Sequence, residues 1–153
     1  MTTSGKPYLT GKYRHNLDDK NRVTIPSAWR SLFDKETTFL AIPNPGGYVT
    51  VLPPVEADKL YDKFAEVPLS DVEAQDEISA FMASTQAFKF DSQGRIALVE
   101  SLFHHAELKG PKEEVVLVGG FNKFNLYSPA RWAIAEQKST PSSQGNVMRR
   151  FGI

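Results

Sequence analysis

Two stretches of this chain carry the same charged pair at the same spacing: LDDKNRVT at residues 17–24 and FDSQGRIA at residues 90–97. In each, an aspartate (Asp18, Asp91) precedes an arginine (Arg22, Arg95) by four residues, with apolar residues on both flanks. The chemistry open to such a pair is electrostatic. Aspartate at the entrance of a turn accepts backbone N–H bonds, and an arginine four residues later can return across the turn to the carboxylate. Two readings follow. The pair either does no more than close a turn, or it holds a guanidinium so firmly that its parallel donors are ready for a matching acceptor pair. Guanine O6 and N7 in the major groove form such a pair. The two aspartates lie close to half of the chain's 153 residues apart, which points to a duplicated module.

The neighbours of the first pair are basic. Lys12, Arg14, Lys20 and Arg30 surround Arg22, whereas Gln93 and Lys89 flank Arg95. Lysines and arginines beside a base-reading group supply phosphate contacts, which position without specifying sequence. The formal net charge is zero, but it is unevenly spread. Residues 1–35 hold seven basic residues, Lys6 among them, against three aspartates, and residues 55–78 hold eight acids against two lysines. Segregated charge can steer an anionic partner to one face even when the total cancels. A solvated acidic helix beside a mildly basic sheet is the plainer account of the same pattern.

The elements that must position these residues are legible from periodicity. Tyr13, His15 and Leu17 alternate on one side before the first turn, and Val23 and Ile25 alternate inward after it. Phe88, Phe90, Ile96 and Leu98 repeat the pattern around the second turn. Period-two runs about a polar turn predict a β-hairpin at each motif, with its arginine facing outward. Gly94 and Asn21 hold corresponding turn positions and are the residue types that tolerate a positive φ. A short helix is expected after each hairpin, in PSAWRSLF and VESLFHHAEL. A strand pair and a second helix then follow in each copy, with an extra helix, DVEAQDEISAFMAS, ahead of copy two. The expected organisation is a first repeat at 8–67, a connecting helix within 68–85, a second repeat at 86–138 and a mobile tail at 139–153. The fold class is α+β, two pseudo-repeats packed together or interleaved into one pseudo-symmetric unit.

Other chemistries find little support. The absence of cysteine excludes disulfides, thiolate metal sites and cysteine nucleophiles, and it fits a reducing compartment. No stretch approaches the ~18–20 apolar residues of a membrane span, and MTTSGKPYLT has no apolar leader region, so a soluble, unexported, cytoplasmic protein is expected. His104 and His105 are adjacent and point about 100° apart on a helix, a poor metal pair, and His15 sits in strand alternation. VGG at 118–120 lacks the lysine and hydroxyl of a phosphate loop. No enzyme, cofactor or metal is expected.

LDDKNRVTIPSAWR resembles the first Asp-x-x-x-Arg motif of the MraZ family, and FDSQGRIAL with EEVVLVGGFNKFNLYSPARW resembles its second half. The resemblance covers most of residues 8–135. It implies tandem AbrB-like (swapped-hairpin) modules in a β-barrel-like domain with flanking helices. It also implies a nucleoid-associated regulator that assembles as a homo-oligomeric ring larger than a dimer and binds short G-rich direct repeats in promoter DNA. On that basis Arg22, Arg95, Asp18 and Asp91 are the DNA-binding motif residues; the basic neighbours Lys20, Arg14 and Lys12 join them as phosphate contacts, and no membrane or small-molecule partner is expected. The sequence departs from the family pattern at Asn21 for glycine, Val99 for proline, and Asn125 and Tyr127 for glutamate and tryptophan. Phe103 stands where copy one has Arg30, and it and Tyr127 are candidates for packing between subunits. A ring would convert later contacts into intramolecular ones, adding ~10²–10⁴ in effective strength. The acidic helices at 55–78 are candidates for its interfaces. A protein-binding assembly module with purely structural turns is the alternative.

Overall fold

The computed structural model describes residues 7–153, so Lys6 of the basic N-terminal stretch lies outside the described residues. Copy one contributes strands β1 (Lys12–Asn16) and β2 (Arg22–Thr24), the short helix α1 (Ser27–Arg30), strands β3 (Phe39–Asn44) and β4 (Tyr48–Leu52), and helix α2 (Pro54–Ala65). Helix α3 (Val72–Ala83) connects the copies and opens on Asp71, whose carboxylate accepts from the Ala74 N–H. Copy two repeats the order in β5 (Gln86–Phe88), β6 (Arg95–Ala97), α4 (Glu100–His105), β7 (Glu114–Gly119), β8 (Phe124–Tyr127) and α5 (Pro129–Glu136).

The hairpins expected at the two motifs do not form. Strands β1 and β2 part after the turn: β1 pairs antiparallel with β7, and β2 pairs antiparallel with β6. Likewise β5 pairs with β3 of copy one. Alternation of apolar residues fixes which face of a strand is buried, but it does not choose the strand beside it. The copies are therefore interleaved. The hairpins β3–β4 and β7–β8 form as expected and meet through β4 and β8. The resulting sheet has the order β1-β7-β8-β4-β3-β5, which reads the same from either end when each strand is exchanged for its counterpart. It is open, not a closed barrel: β1 and β5 remain its edges, and β2–β6 form a separate two-stranded ribbon.

One core spans both copies. Val23 and Ile25 from copy one and Ile96 from copy two are buried under the ribbon. Trp29 is buried against Tyr13 and Phe124, and its indole N–H donates to the Thr10 carbonyl at 2.8 Å. Phe39 gathers Phe33, Phe88, Phe90 and Phe124 around its ring, with the nearest centroid, that of Phe90, at 4.5 Å. Phe103 and Tyr127 belong to this interior, so neither is available for packing between subunits. Tyr127 lies 4.3 Å from Tyr48, ring centre to ring centre, and Asn125 accepts a hydrogen bond from the Thr50 hydroxyl at 2.8 Å across β4–β8. Both departures from the family pattern thus serve internal contacts.

The tail expected to be mobile contains a sixth helix, α6 (Pro141–Phe151). Its start is closed by a reciprocal pair, Thr140 Oγ1 accepting from the Ser143 N–H and Ser143 Oγ from the Thr140 N–H. Gly152 ends it at φ 70°. No helix among the described residues is long and apolar enough to cross a membrane.

Candidate nucleic-acid interface

The two motif turns match bond for bond. Asp18 Oδ1 accepts from the backbone N–H groups of Lys20 and Arg22 at 2.9 and 2.8 Å, and Asp91 Oδ1 from those of Gln93 and Arg95 at 2.9 Å each. The second carboxylate oxygen takes the arginine: Arg22 Nε lies 2.7 Å from Asp18 Oδ2, and Arg95 Nε lies 2.9 Å from Asp91 Oδ2. Backbone bonds from Asn21 N–H to Asp18 and from Gly94 N–H to Asp91 complete each turn. Asn21 and Gly94 both adopt positive φ, 57° and 75°, as their residue types lead one to expect. Each aspartate thus shapes the backbone with one oxygen and holds its arginine by Nε with the other. Among the described residues neither guanidinium forms a hydrogen bond through its Nη atoms, which leaves them able to donate elsewhere.

Interleaving brings the two turns together. In the ribbon, Val23 faces Ile96 and both point into the core, so Arg22, Thr24, Arg95 and Ala97 share the outer face. Arg22 lies opposite Ala97 and Arg95 opposite Thr24, which makes the arginines diagonal neighbours. Arg95 Nη1 also comes within 3.9 Å of Asp18 Oδ2, so the four motif charges form one cluster. The arginine side chains retain 28% and 22% of their accessible surface, enough for their tips to meet a partner without leaving their carboxylates.

Both carboxyls are held below the ordinary aspartate range. For Asp18 the main cause is the bond from the Arg22 backbone N–H, which with the Arg22 side chain outweighs partial desolvation. For Asp91 desolvation is the largest single influence and pushes the other way, but the Arg95 and Gln93 N–H groups and the Arg95 guanidinium together overcome it. A carboxyl whose folded pKa is depressed stabilises the fold above its unfolded pKa, about 3.9, and the benefit disappears as pH falls through the folded value. Acid unfolding should therefore steepen below about pH 4. In the Asp18→Asn, Asp91→Asn double variant, chemical denaturation between pH 2 and 5 should show a shallower dependence.

Arg30, left out of the sequence-derived site, belongs beside it. Its Nε donates to the Ile25 carbonyl at 2.8 Å, and its side chain runs across Gly94 of the other copy. A Cβ at position 94 would lie 2.3 Å from Arg30 Cδ, so glycine there serves both the left-handed φ and the passage of Arg30. Gly94→Ala should cost about 1–2 kcal/mol from the backbone alone and displace Arg30, whereas Asn21→Gly should be nearly neutral in thermal melts. The signal for this contact was split between two stretches of sequence, and only strand exchange joins them.

The remaining predicted residues are placed less uniformly. Lys20 is exposed on the first turn and forms no ion pair among the described residues. Lys12 and Arg14 stand on edge strand β1 and are paired, Lys12 with Glu136 at 2.5 Å and Arg14 with Glu114 at 2.7 Å. The Lys12 bond also holds the Glu136 carboxyl below its ordinary range. Lys89 pairs with Glu36. Among the described residues no group of three or more histidine, cysteine, aspartate or glutamate side chains is disposed to hold a metal ion. His105 instead meets the Asn44 carbonyl through Nε2 at 2.6 Å.

Residues 81–152 match the model of the MraZ protein family. The chain is 36% identical over 123 residues to the transcriptional regulator MraZ of Halothermothrix orenii, covering 80% of this chain and 82% of that protein. It is 31% identical over 129 residues to the transcriptional regulator MraZ of Syntrophobacter fumaroxidans, covering 84% of each. With that of Lactobacillus gasseri it shares 33% identity over 122 residues, covering 80% of this chain and 82% of the relative. Identity above 30% over four-fifths of the chain shows that it belongs to the MraZ family.

Proposed function

We propose that this protein is a DNA-binding transcription regulator that reads short G-rich direct repeats through Arg22 and Arg95. In this reading the copies at 8–67 and 86–138 are AbrB-like swapped-hairpin modules, and several identical chains form a ring. The observation that carries it is the outer face of the β2–β6 ribbon, where two arginines stand diagonally, each hydrogen-bonded to its aspartate through Nε and, among the described residues, through no Nη atom. A two-stranded ribbon is one of the shapes the major groove of B-DNA admits, and a fixed arginine fork matches guanine O6 and N7. Holding the arginine in advance reduces the rotamer entropy lost on binding.

Asp18 and Asp91 act by positioning, not by touching the bases. Lys20 and Arg30 flank the ribbon as phosphate partners, and Lys12 and Arg14 extend the cationic edge once their solvent-exposed carboxylate partners yield to phosphate. A single neutral subunit offering two arginines binds weakly. A ring on successive repeats compensates through effective concentration. The name shared by the curated relatives, transcriptional regulator, agrees with this reading.

Selection of bound fragments from a random duplex library tests it. Direct repeats rich in guanine should be enriched, and affinity for them should fall steeply as salt rises, because phosphate contacts release counterions. Failure to prefer any sequence over scrambled duplex would leave the turns with a structural role only, in a protein-binding assembly module.

A further inference from the structure

Helix α6 has capped ends but buries no side chain against the described residues. None of its residues is buried, and Val147, Met148 and Phe151 are all exposed, as is Ile153 just beyond it. Val147 and Phe151 are four residues apart and Met148 and Phe151 three, so these apolar groups share one face, while Arg149 and Arg150 point to other sides. A helix of eleven residues is marginal in water by itself, and packing of its apolar face supplies most of a helix's stability.

A surface of complementary character lies on the other half of the molecule. Between α2, α3 and β3 is an open cavity of about 600 Å³ lined by Leu40, Leu60, Tyr61, Phe64 and Met82. Asp58 lines its edge, and Asp62 lies one turn further along the exposed side of α2. Residues 55–78 around it hold eight acids against two lysines. The groove belongs to α2, which packs on β3 and β4, whereas α6 follows α5, which packs on β7 and β8.

We propose that α6 of one copy seats Val147, Met148 and Phe151 in the α2–α3 groove of the next copy, with the arginines on its flanks drawn to the acids on the exposed side of α2. Helix and groove are different surfaces, so the contact is heterologous, and repeated head-to-tail it closes into a ring if the rotation permits. The family match running to residue 152 includes α6 in the matched region. The inference deepens the ring of the proposed function and rests on that reading.

The chain has no cysteine, so an engineered pair reports unambiguously. Full-length protein carrying Phe151→Cys is mixed with a tagged chain carrying Met82→Cys and oxidised. A disulfide-linked pair of one tagged and one untagged chain is expected. Its absence, or closure of a chain bearing both substitutions onto itself without a dimer, would overturn the proposal. Val147→Asp with Phe151→Asp should weaken self-association by about tenfold to a hundredfold in sedimentation velocity. Arg149→Glu with Arg150→Glu should also weaken it, and adding Asp58→Lys and Asp62→Lys should restore it. Unchanged assembly in the two acidic variants, or no restoration, counts against the docking. Fragment selection run in parallel separates the two ideas. Repeat preference without the cross-link removes only the docking, and the cross-link without repeat preference supports the docking while removing the DNA reading.

Discussion

Arg22→Ala combined with Arg95→Ala should abolish preference for G-rich repeats while leaving circular dichroism and melting temperature little changed. The turns themselves survive, because each aspartate keeps its two backbone N–H bonds through Oδ1 when the guanidinium is gone. What is lost on the proposed reading is base contact, worth ~1–3 kcal/mol for each bidentate pair. On that reading each site removed weakens specific binding by roughly tenfold or more, and in the proposed ring that loss compounds over the subunits. Arginine to lysine at the same positions separates charge from geometry. Lysine keeps the phosphate attraction but has no planar fork. Those variants should retain salt-sensitive, sequence-independent binding in fluorescence anisotropy and lose discrimination between repeat and scrambled duplex. A fall in melting temperature ahead of any change in DNA preference would show instead that the arginines hold the fold together.

Phe39→Ala should be the most destabilising single change in the aromatic core, at about 3–5 kcal/mol. Phe39 is fully buried, and its ring joins Phe33 of copy one to Phe88, Phe90 and Phe124 of copy two. Against a usual total stability of about 5–15 kcal/mol, that loss brings the domain close to unfolding. Because the cluster draws on both copies, denaturant unfolding followed by fluorescence and by far-UV dichroism should show both halves failing in one transition. Leu69→Ala, at a side chain that is 87% exposed, is the matched control and should shift stability by less than about 0.5 kcal/mol. Two separated transitions in the Phe39 variant would contradict the shared core.

What could be read from the sequence was local. The Asp-x-x-x-Arg turns, the positive φ at Asn21 and Gly94, the outward arginines over Val23 and Ile96, and the hairpins β3–β4 and β7–β8 all follow from residue type and period within a short window. What could not was the choice of partner. Lys12 and Arg14 were grouped with Arg22 by proximity in sequence, yet β1 leaves the turn to pair with β7 and sets both beside acids of copy two. Arg30 crossing Gly94 escaped notice for the same reason. Helix α6 was missed on composition, since serine, glycine, asparagine and proline dominate its first turns. Its limits were nonetheless written in Thr140, Pro141 and Gly152, the residue types that begin and end helices.

The origin of the ribbon bears on how the protein is made. Its two strands come from opposite halves of the chain, and β6 ends only at Ala97. A polypeptide still emerging from the ribosome with only copy one exposed has no second strand to present and no counterpart for Arg22. Activity of the kind proposed therefore has to await the emergence of copy two. Prematurely terminated products holding copy one alone should be inert towards the genome rather than dominant competitors for it.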